Sequence, residues 1–240
     1  MGGVRDLRLS GWAVFDLDGT LVDTLGEIAS ALNRVLKKHG RAVLEKDIVR
    51  DLVGKGPRTL VERAWLRTGS QAEGKQLGGY MLEYLAEYRR NPPRMSQPFQ
   101  GVDAGLQNLV RLGWKLGVCT NKDGRSARSL VKNLGWDRWI RVVVSGDDSA
   151  RKPDPRPLRM TLQRLGATPG RHVFVGDSEV DMATAKNAGI EGVFLGHGYG
   201  ESRGMEDHYF DSAVNMFSWM AKSGPKNLRS QSVTSILCSG

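Results

Sequence analysis

Aspartates stand at the ends of two short apolar runs in this chain. Asp16 and Asp18 follow Trp12-Ala13-Val14-Phe15, and Asp177 and Asp181 follow His172-Val173-Phe174-Val175. A third run ends in Cys119-Thr120-Asn121-Lys122, and the loop after a fourth carries Arg151-Lys152-Pro153-Asp154-Pro155. Four carboxylates brought into one crevice would repel one another unless a cation sat among them. Ligands that are all oxygen, with no clustered Cys or His, favour a hard cation, most simply Mg2+. On a continuing strand Asp16 and Asp18 would point the same way. A turn at Leu17-Asp18-Gly19 would give them separate roles.

Phosphoryl transfer to a carboxylate suits this set. Asp16 is the candidate nucleophile, splitting one hard displacement into two through an aspartyl-phosphate. Asp18 is the candidate acid and base, protonating a departing alkoxide and then deprotonating the attacking water. Thr120 and Asn121 offer neutral donors, and Lys152 a point charge, to the phosphoryl oxygens.

These groups need a scaffold that gathers them. After an all-helical stretch, with helices read over 45–53, 57–68 and 76–90, Asn91-Pro92-Pro93 stops helix formation. Beyond it strands and helices alternate: helix 103–112, strand 115–119, helix 125–134, strand 141–145, helix 156–165, strand 172–175, helix 179–188, strand 192–195. Short connections between alternating strands and helices mean a parallel α/β sheet covered by helices on both faces. The expectation is a Rossmann-like α/β core, residues 1–22 and 96–222, interrupted by an all-helical cap over 23–95 and followed by a disordered tail over 223–240. In such a sheet, ligands bind beyond the carboxyl ends of the strands, where the polar clusters fall.

Asp16-Leu17-Asp18-Gly19-Thr20, Thr120-Asn121, Lys152-Pro153 and Gly176-Asp177-Ser178-x-x-Asp181 resemble, in order, the four motifs of the haloacid dehalogenase-like phosphatases. The resemblance implies Asp16 as nucleophile, Asp18 as acid and base, and Lys152 as a phosphoryl clamp. It further implies Mg2+ on the Asp16 carboxylate, the Asp18 main-chain carbonyl and Asp177, with Asp181 bound or one water away. The run from Phe15 to Thr24, Leu52-Val53-Gly54-Lys55-Gly56, Thr120-Asn121-Lys122, and Gly146-Asp147-Asp148 before Lys152-Pro153 are similar to the phosphoglycolate phosphatase branch. Members often carry Asn at the position of Lys55 and His at that of Asp154. A phosphosugar mutase, or a sugar-phosphate or nucleotide phosphatase, is the alternative within this superfamily. Thr20 argues against the mutase and Asp18 against a dehalogenase.

The 240 residues, 40% hydrophobic and 25% charged, allow a sizeable core, and the excess of 35 Lys and Arg over 26 Asp and Glu favours anionic partners. A basic nucleic-acid-binding protein is the reading from a different class, but no helix-turn-helix, zinc-finger or aromatic-rich strand signature accompanies the charge. Two cysteines, no secretory segment and no long apolar stretch point to a soluble cytoplasmic protein. The substrate is expected to be a small phosphate ester, with no nucleic acid and no membrane as partner. Residues 24–95 hold 14 Lys and Arg against 8 Asp and Glu. The cap loop Gly54-Lys55-Gly56-Pro57-Arg58 is the candidate to enter the site, with Lys55 or Arg58 pairing with a substrate carboxylate. Asp23 reads as a helix-start residue, Asp147 and Asp148 as loop residues, and Gly196-His197-Gly198-Tyr199-Gly200 as a flexible turn. The stripe Leu77, Tyr80, Met81, Tyr84, Leu85, Tyr88 reads as packing surface.

Overall fold

Within the first strand, β1 (Gly11–Phe15), successive side chains point to opposite faces, and both faces are apolar. Ala13 and Phe15 join one buried cluster, Trp12 and Val14 another. A strand with no polar face belongs in the middle of a sheet covered twice. A computed structural model describes residues 11–69, 71–72, 74–90 and 96–225 and places β1 there. Its neighbours are β4 (Trp114–Cys119) and β6 (Arg171–Gly176), both parallel to it. Strands β5 (Ile140–Val144), β7 (Glu191–Leu195) and β8 (His208–Phe210) extend the sheet to the order β5-β4-β1-β6-β7-β8. All pairings in this sheet are parallel.

Among the described residues, five helices cover the faces. Helices α5 (Val102–Arg111), α6 (Gly124–Asn133) and α9 (Ala213–Ser223) bury Leu106, Leu130 and Phe217 against Phe15 and its neighbours. On the other face, α7 (Arg156–Arg164) and α8 (Glu179–Ala188) bring Leu158, Leu162 and Ala185 onto Trp12 and Val14.

The insertion leaves and re-enters the core through two short strands, β2 (Val22–Asp23) and β3 (Gln97–Pro98), paired antiparallel with Val22 opposite Pro98. The Ser96 amide and hydroxyl both donate to Glu27, fastening the second crossing to the start of the first cap helix. Helices α1 (Leu25–Lys38), α2 (Lys46–Arg50), α3 (Pro57–Arg67) and α4 (Gly74–Arg90) lie between. They bury an apolar cluster of their own, in which Ile28, Leu32, Val35 and Leu36 of α1 meet Trp65, Leu77 and Leu85.

The fold is the expected α/β sheet with a helical cap, and differs in detail. The helix read over 45–53 is α2 alone, because the chain turns toward Gly54 at φ +105. Strand β8 and helix α9 add to the elements expected from the sequence. Ser223 closes α9 instead of opening a tail; residues 226–240 and the break Asn91-Pro92-Pro93 lie outside the described residues. Among the described residues no helix is long and apolar enough to cross a membrane.

Candidate active site

Sheet register brings the polar clusters together. Phe15 pairs with Val118 on one side and Val175 on the other, so the residues that follow all three strands emerge side by side. The Asp16 amide donates to the Val175 carbonyl at 2.9 Å and the Thr120 amide to Val144 at 3.0 Å, fixing both backbones at the carboxyl edge. The chain leaves β1 leftward for β4 and β5 and returns on the right at β6. This reversal of strand order is where ligands sit in open α/β sheets.

Asp16, Asp177 and Asp181 converge there, all buried, with one carboxylate oxygen of each within 4.8 Å of the others. Each is held differently. Asp181 occupies the third position of α8 and forms a capping box with Ser178, whose amide donates to Asp181 Oδ2 at 3.2 Å. That leaves Oδ1 facing Lys152 Nζ at 2.6 Å. Asp177 accepts from the Thr20 hydroxyl at 2.6 Å and from the Tyr199 amide at 2.8 Å. Gly19, at φ +83, and Gly198 press against the Asp177 side chain so closely that a Cβ at either would collide with it. Asp16 Oδ1 lies 2.9 Å from Lys152 Nζ, yet is a buried oxygen with no aligned hydrogen-bond donor.

Such crowding shifts charge states. Burial, then Asp181 and Asp16, push the Asp177 carboxyl up to about 8. Burial raises Asp16 to about 6, with Lys152 opposing and Asp181 and Asp18 adding to it. A cation would favour the charged forms of both carboxylates. The all-carboxylate donor set therefore fits a hard divalent metal. Burial works against the Lys152 ammonium, but Asp16 and Asp181 outweigh it and raise its pKa.

Asp18 does not join this cluster. After the turn at Gly19 its carboxylate accepts from Thr24 Oγ1 at 2.7 Å and from Lys122 Nζ at 2.9 and 3.1 Å. Three side-chain carboxylates converge, not four, and the turn separates Asp16 from Asp18 as the spacing allowed. Lys122 in turn lies 4.4 Å from the centre of the Tyr88 ring on α4. Burial depresses its ammonium, but Asp18, with Tyr88 and Tyr84, holds it well above the ordinary lysine range.

A cavity of about 50 Å³ opens between this edge and the cap, lined by Asp16, Asp18, Thr120 and Lys122 below and by Gly54, Leu60 and Tyr84 above. The Thr120 oxygen accepts from the Lys122 amide at 3.2 Å, leaving its own hydrogen to donate. Asn121 also lines the cavity, but its side chain is engaged. It donates to the Gly54 carbonyl at 3.0 Å and the Lys152 carbonyl at 3.1 Å, and accepts from the Lys152 amide at 2.9 Å. Asn121 thus ties the cap loop to the Lys152 loop. A second tie joins Arg89 of α4 to Asp123, the N-cap of α6, at 2.6 Å.

Lys55 and Arg58 are not brought into the site. Both are exposed and neither lines the cavity; the loop enters by its backbone, through Gly54 and Gly56. The glycine-rich turn after β7 is no idle connector either. The Tyr199 hydroxyl accepts from the Thr24 and Leu25 amides at 2.7 and 3.0 Å and donates to Asp23 at 2.8 Å. This residue thereby links Asp177 to the first turn of the cap. Its sequence signal was the run of glycines flanking it, where a backbone must approach something closely. Asp147 and Asp148 are loop residues, accepting from the Gly124 and Ser145 amides at 2.7 and 2.9 Å. Tyr199→Phe leaves the Thr24 amide without its acceptor, while the Leu25 amide keeps Asp23 at 3.1 Å, and is expected to cost about 1–3 kcal/mol, measured by urea denaturation; an unchanged midpoint would contradict this linkage.

The fold and this constellation define a hydrolase class. Residues 13–195 match the family of haloacid dehalogenase-like hydrolases, and the chain belongs to that family. It is 40% identical over 191 residues to the phosphoglycolate phosphatase of Rhodospirillum rubrum, spanning 78% of this chain and 79% of the relative. It is 35% identical over 192 residues to the phosphoglycolate phosphatase of Agrobacterium fabrum, spanning 80% and 82%. The crystal structure of a predicted phosphoglycolate phosphatase from Haemophilus somnus superposes with a TM-score of 0.79 at 25% identity, over 88% of this chain and 98% of that one.

Proposed function

We propose that this protein is a Mg2+-dependent phosphoric monoester hydrolase acting on a small, phosphoglycolate-like ester through an aspartyl-phosphate on Asp16. The observation that carries the reading is the Asp16 carboxylate, buried, paired with Lys152 at 2.9 Å and lining the cavity with Thr120. The phosphoglycolate phosphatases to which the chain is similar support the substrate class.

In this reading Asp16 attacks phosphorus and the bond from phosphorus to the ester oxygen breaks. Asp18 delivers its proton to the departing oxygen. A water then attacks the phosphorus of the aspartyl-phosphate and gives its proton to Asp18, and the bond from phosphorus to Asp16 breaks, releasing inorganic phosphate and restoring both residues. Asp18 is charged in that second half, and the Lys122 ammonium at 2.9 Å suits this form. Lys152 and the Thr120 hydroxyl take phosphoryl oxygens, while Asn121 holds Lys152 and the cap loop in place. Mg2+, held by the Asp16 and Asp177 carboxylates, the Asp18 carbonyl, and Asp181 directly or through water, would neutralise charge on the phosphoryl oxygens. Closure of the cap excludes water while the ester is bound. The absence of clustered thiols fits a cytoplasmic setting.

Release of inorganic phosphate from phosphoglycolate, sugar phosphates and nucleotides, each with Mg2+, tests the reading. Phosphoglycolate is expected to show the highest kcat/KM; isomerisation of a sugar phosphate without phosphate release would overturn it.

Metal binding carries a pH signature. Burial and the neighbouring carboxylates of Asp181 and Asp16 push the Asp177 carboxyl up to about 8, which favours its protonated form in the metal-free fold, and that proton must leave for a cation to bind. The folded pKa of Asp177 is raised, so its contribution to metal-free stability is full below about pH 4 and lost as pH rises through about 8. Mg2+ affinity is accordingly expected to strengthen from pH 6 to 8 with proton release, read by calorimetry in two buffers. An affinity flat across that range would contradict the assignment.

A further inference from the structure

A phosphate ester bearing a second anionic group needs a second cation in the cavity, and neither of the exposed Lys55 and Arg58 lines it. Lys152 is taken up between Asp16 and Asp181 at 2.9 and 2.6 Å. Among the described residues lining the cavity, Lys122 is the one cation, and it is 8% exposed. Its stem is held against the Tyr88 ring, and its Nζ stands 2.9 Å from the carboxylate that faces the leaving oxygen in the mechanism above.

We propose that Lys122 is the specificity residue that recognises a substrate carboxylate carried on the carbon next to the ester oxygen, so that the enzyme selects short 2-phosphonooxy carboxylates. The proposal rests on the phosphatase reading, since Asp18 must reach the ester oxygen. A group within hydrogen-bond reach of Asp18 is one further hydrogen bond from Lys122, and a carboxylate two bonds beyond the ester oxygen falls in that range. The ammonium has three protons and stands 2.9 and 3.1 Å from the two Asp18 oxygens, beside the Tyr88 ring, so it can bridge Asp18 and the substrate at once. Tyr84 and Tyr88 close the cavity on that side with aromatic surface. They keep out water that would weaken the charge pair and limit the length of the tail.

The test compares two esters of the same length, phosphoglycolate and 2-hydroxyethyl phosphate, which differ in the carboxylate. Lys122→Gln is expected to lower kcat/KM for phosphoglycolate about ten- to a hundred-fold more than for 2-hydroxyethyl phosphate, the range of a hydrogen bond to a charged group. Lys122→Arg should recover part of the preference. Equal losses on both esters would overturn the proposal and leave Lys122 as a residue that only positions Asp18. The wild-type protein gives a measurement independent of any variant: a phosphoglycolate preference of at least about tenfold is expected, and parity would overturn the proposal. Hydrolysis of neither ester by the wild type would sink the phosphatase reading itself and the proposal with it.

Discussion

Replacing Asp16 by asparagine is expected to lower kcat/KM by about 10^4-fold or more, the scale seen when a covalent nucleophile is removed, while leaving the fold intact. Asn keeps the volume and removes a buried charge. Burial pushes the Asp16 carboxyl up, so the folded chain holds the charged form at a cost that Asn does not carry. Urea denaturation in the absence of metal should place Asp16→Asn at or above the wild type in stability. Loss of activity together with loss of fold would instead make Asp16 a structural residue. Residual hydrolysis above about one part in a hundred would mean that water, not Asp16, attacks phosphorus.

Lys152→Met is expected to show the opposite profile, with stability and activity lost together. The lysine is almost fully buried and contacts Asp16 and Asp181 at once. Removing one partner of a buried ion pair leaves an uncompensated charge and typically costs about 3–5 kcal/mol. Without the ammonium, Asp16 loses the charge that opposes its raised pKa. Its folded value therefore rises further, and the deficit should widen as pH rises above the acid range. Saturating Mg2+ should narrow the deficit in stability without restoring turnover, because the phosphoryl clamp is missing. Denaturation midpoints at pH 5 and pH 8, with and without Mg2+, check this pattern; a midpoint equal to the wild type throughout would contradict the ion-pair account.

The strands were legible because β1, β4, β6 and β7 are covered on both faces and so read as short apolar runs. Once those runs are parallel neighbours, the residues that end them must meet, so Asp16, Thr120 and Asp177 could be brought together from sequence. Strand β8 escaped because three residues, His208-Tyr209-Phe210, carry too little pattern. Helix α9 did carry a signal in Ala213, Met216, Phe217 and Met220, at helical spacing. The orientation of loops was beyond reach. Spacing suggested Lys55 as a substrate ligand, whereas the chain turns at Gly54 and Gly56 so that backbone faces the cavity. Lys122 stood beside the second motif, but its pairing with Asp18 and Tyr88 joins three distant segments, and no local pattern encodes it. Tyr84 and Tyr88 read as packing surface, and they also wall the cavity.

Everything turns on whether phosphorus becomes bonded to Asp16. Acid quenching during turnover of phosphoglycolate with Mg2+, followed by borohydride reduction and peptide mass spectrometry, reads this directly. The expected result is homoserine at position 16, produced by reduction of the acyl phosphate and absent when substrate is withheld. Steady turnover with an unmodified Asp16, or with the phosphoryl group on another side chain, would contradict the account.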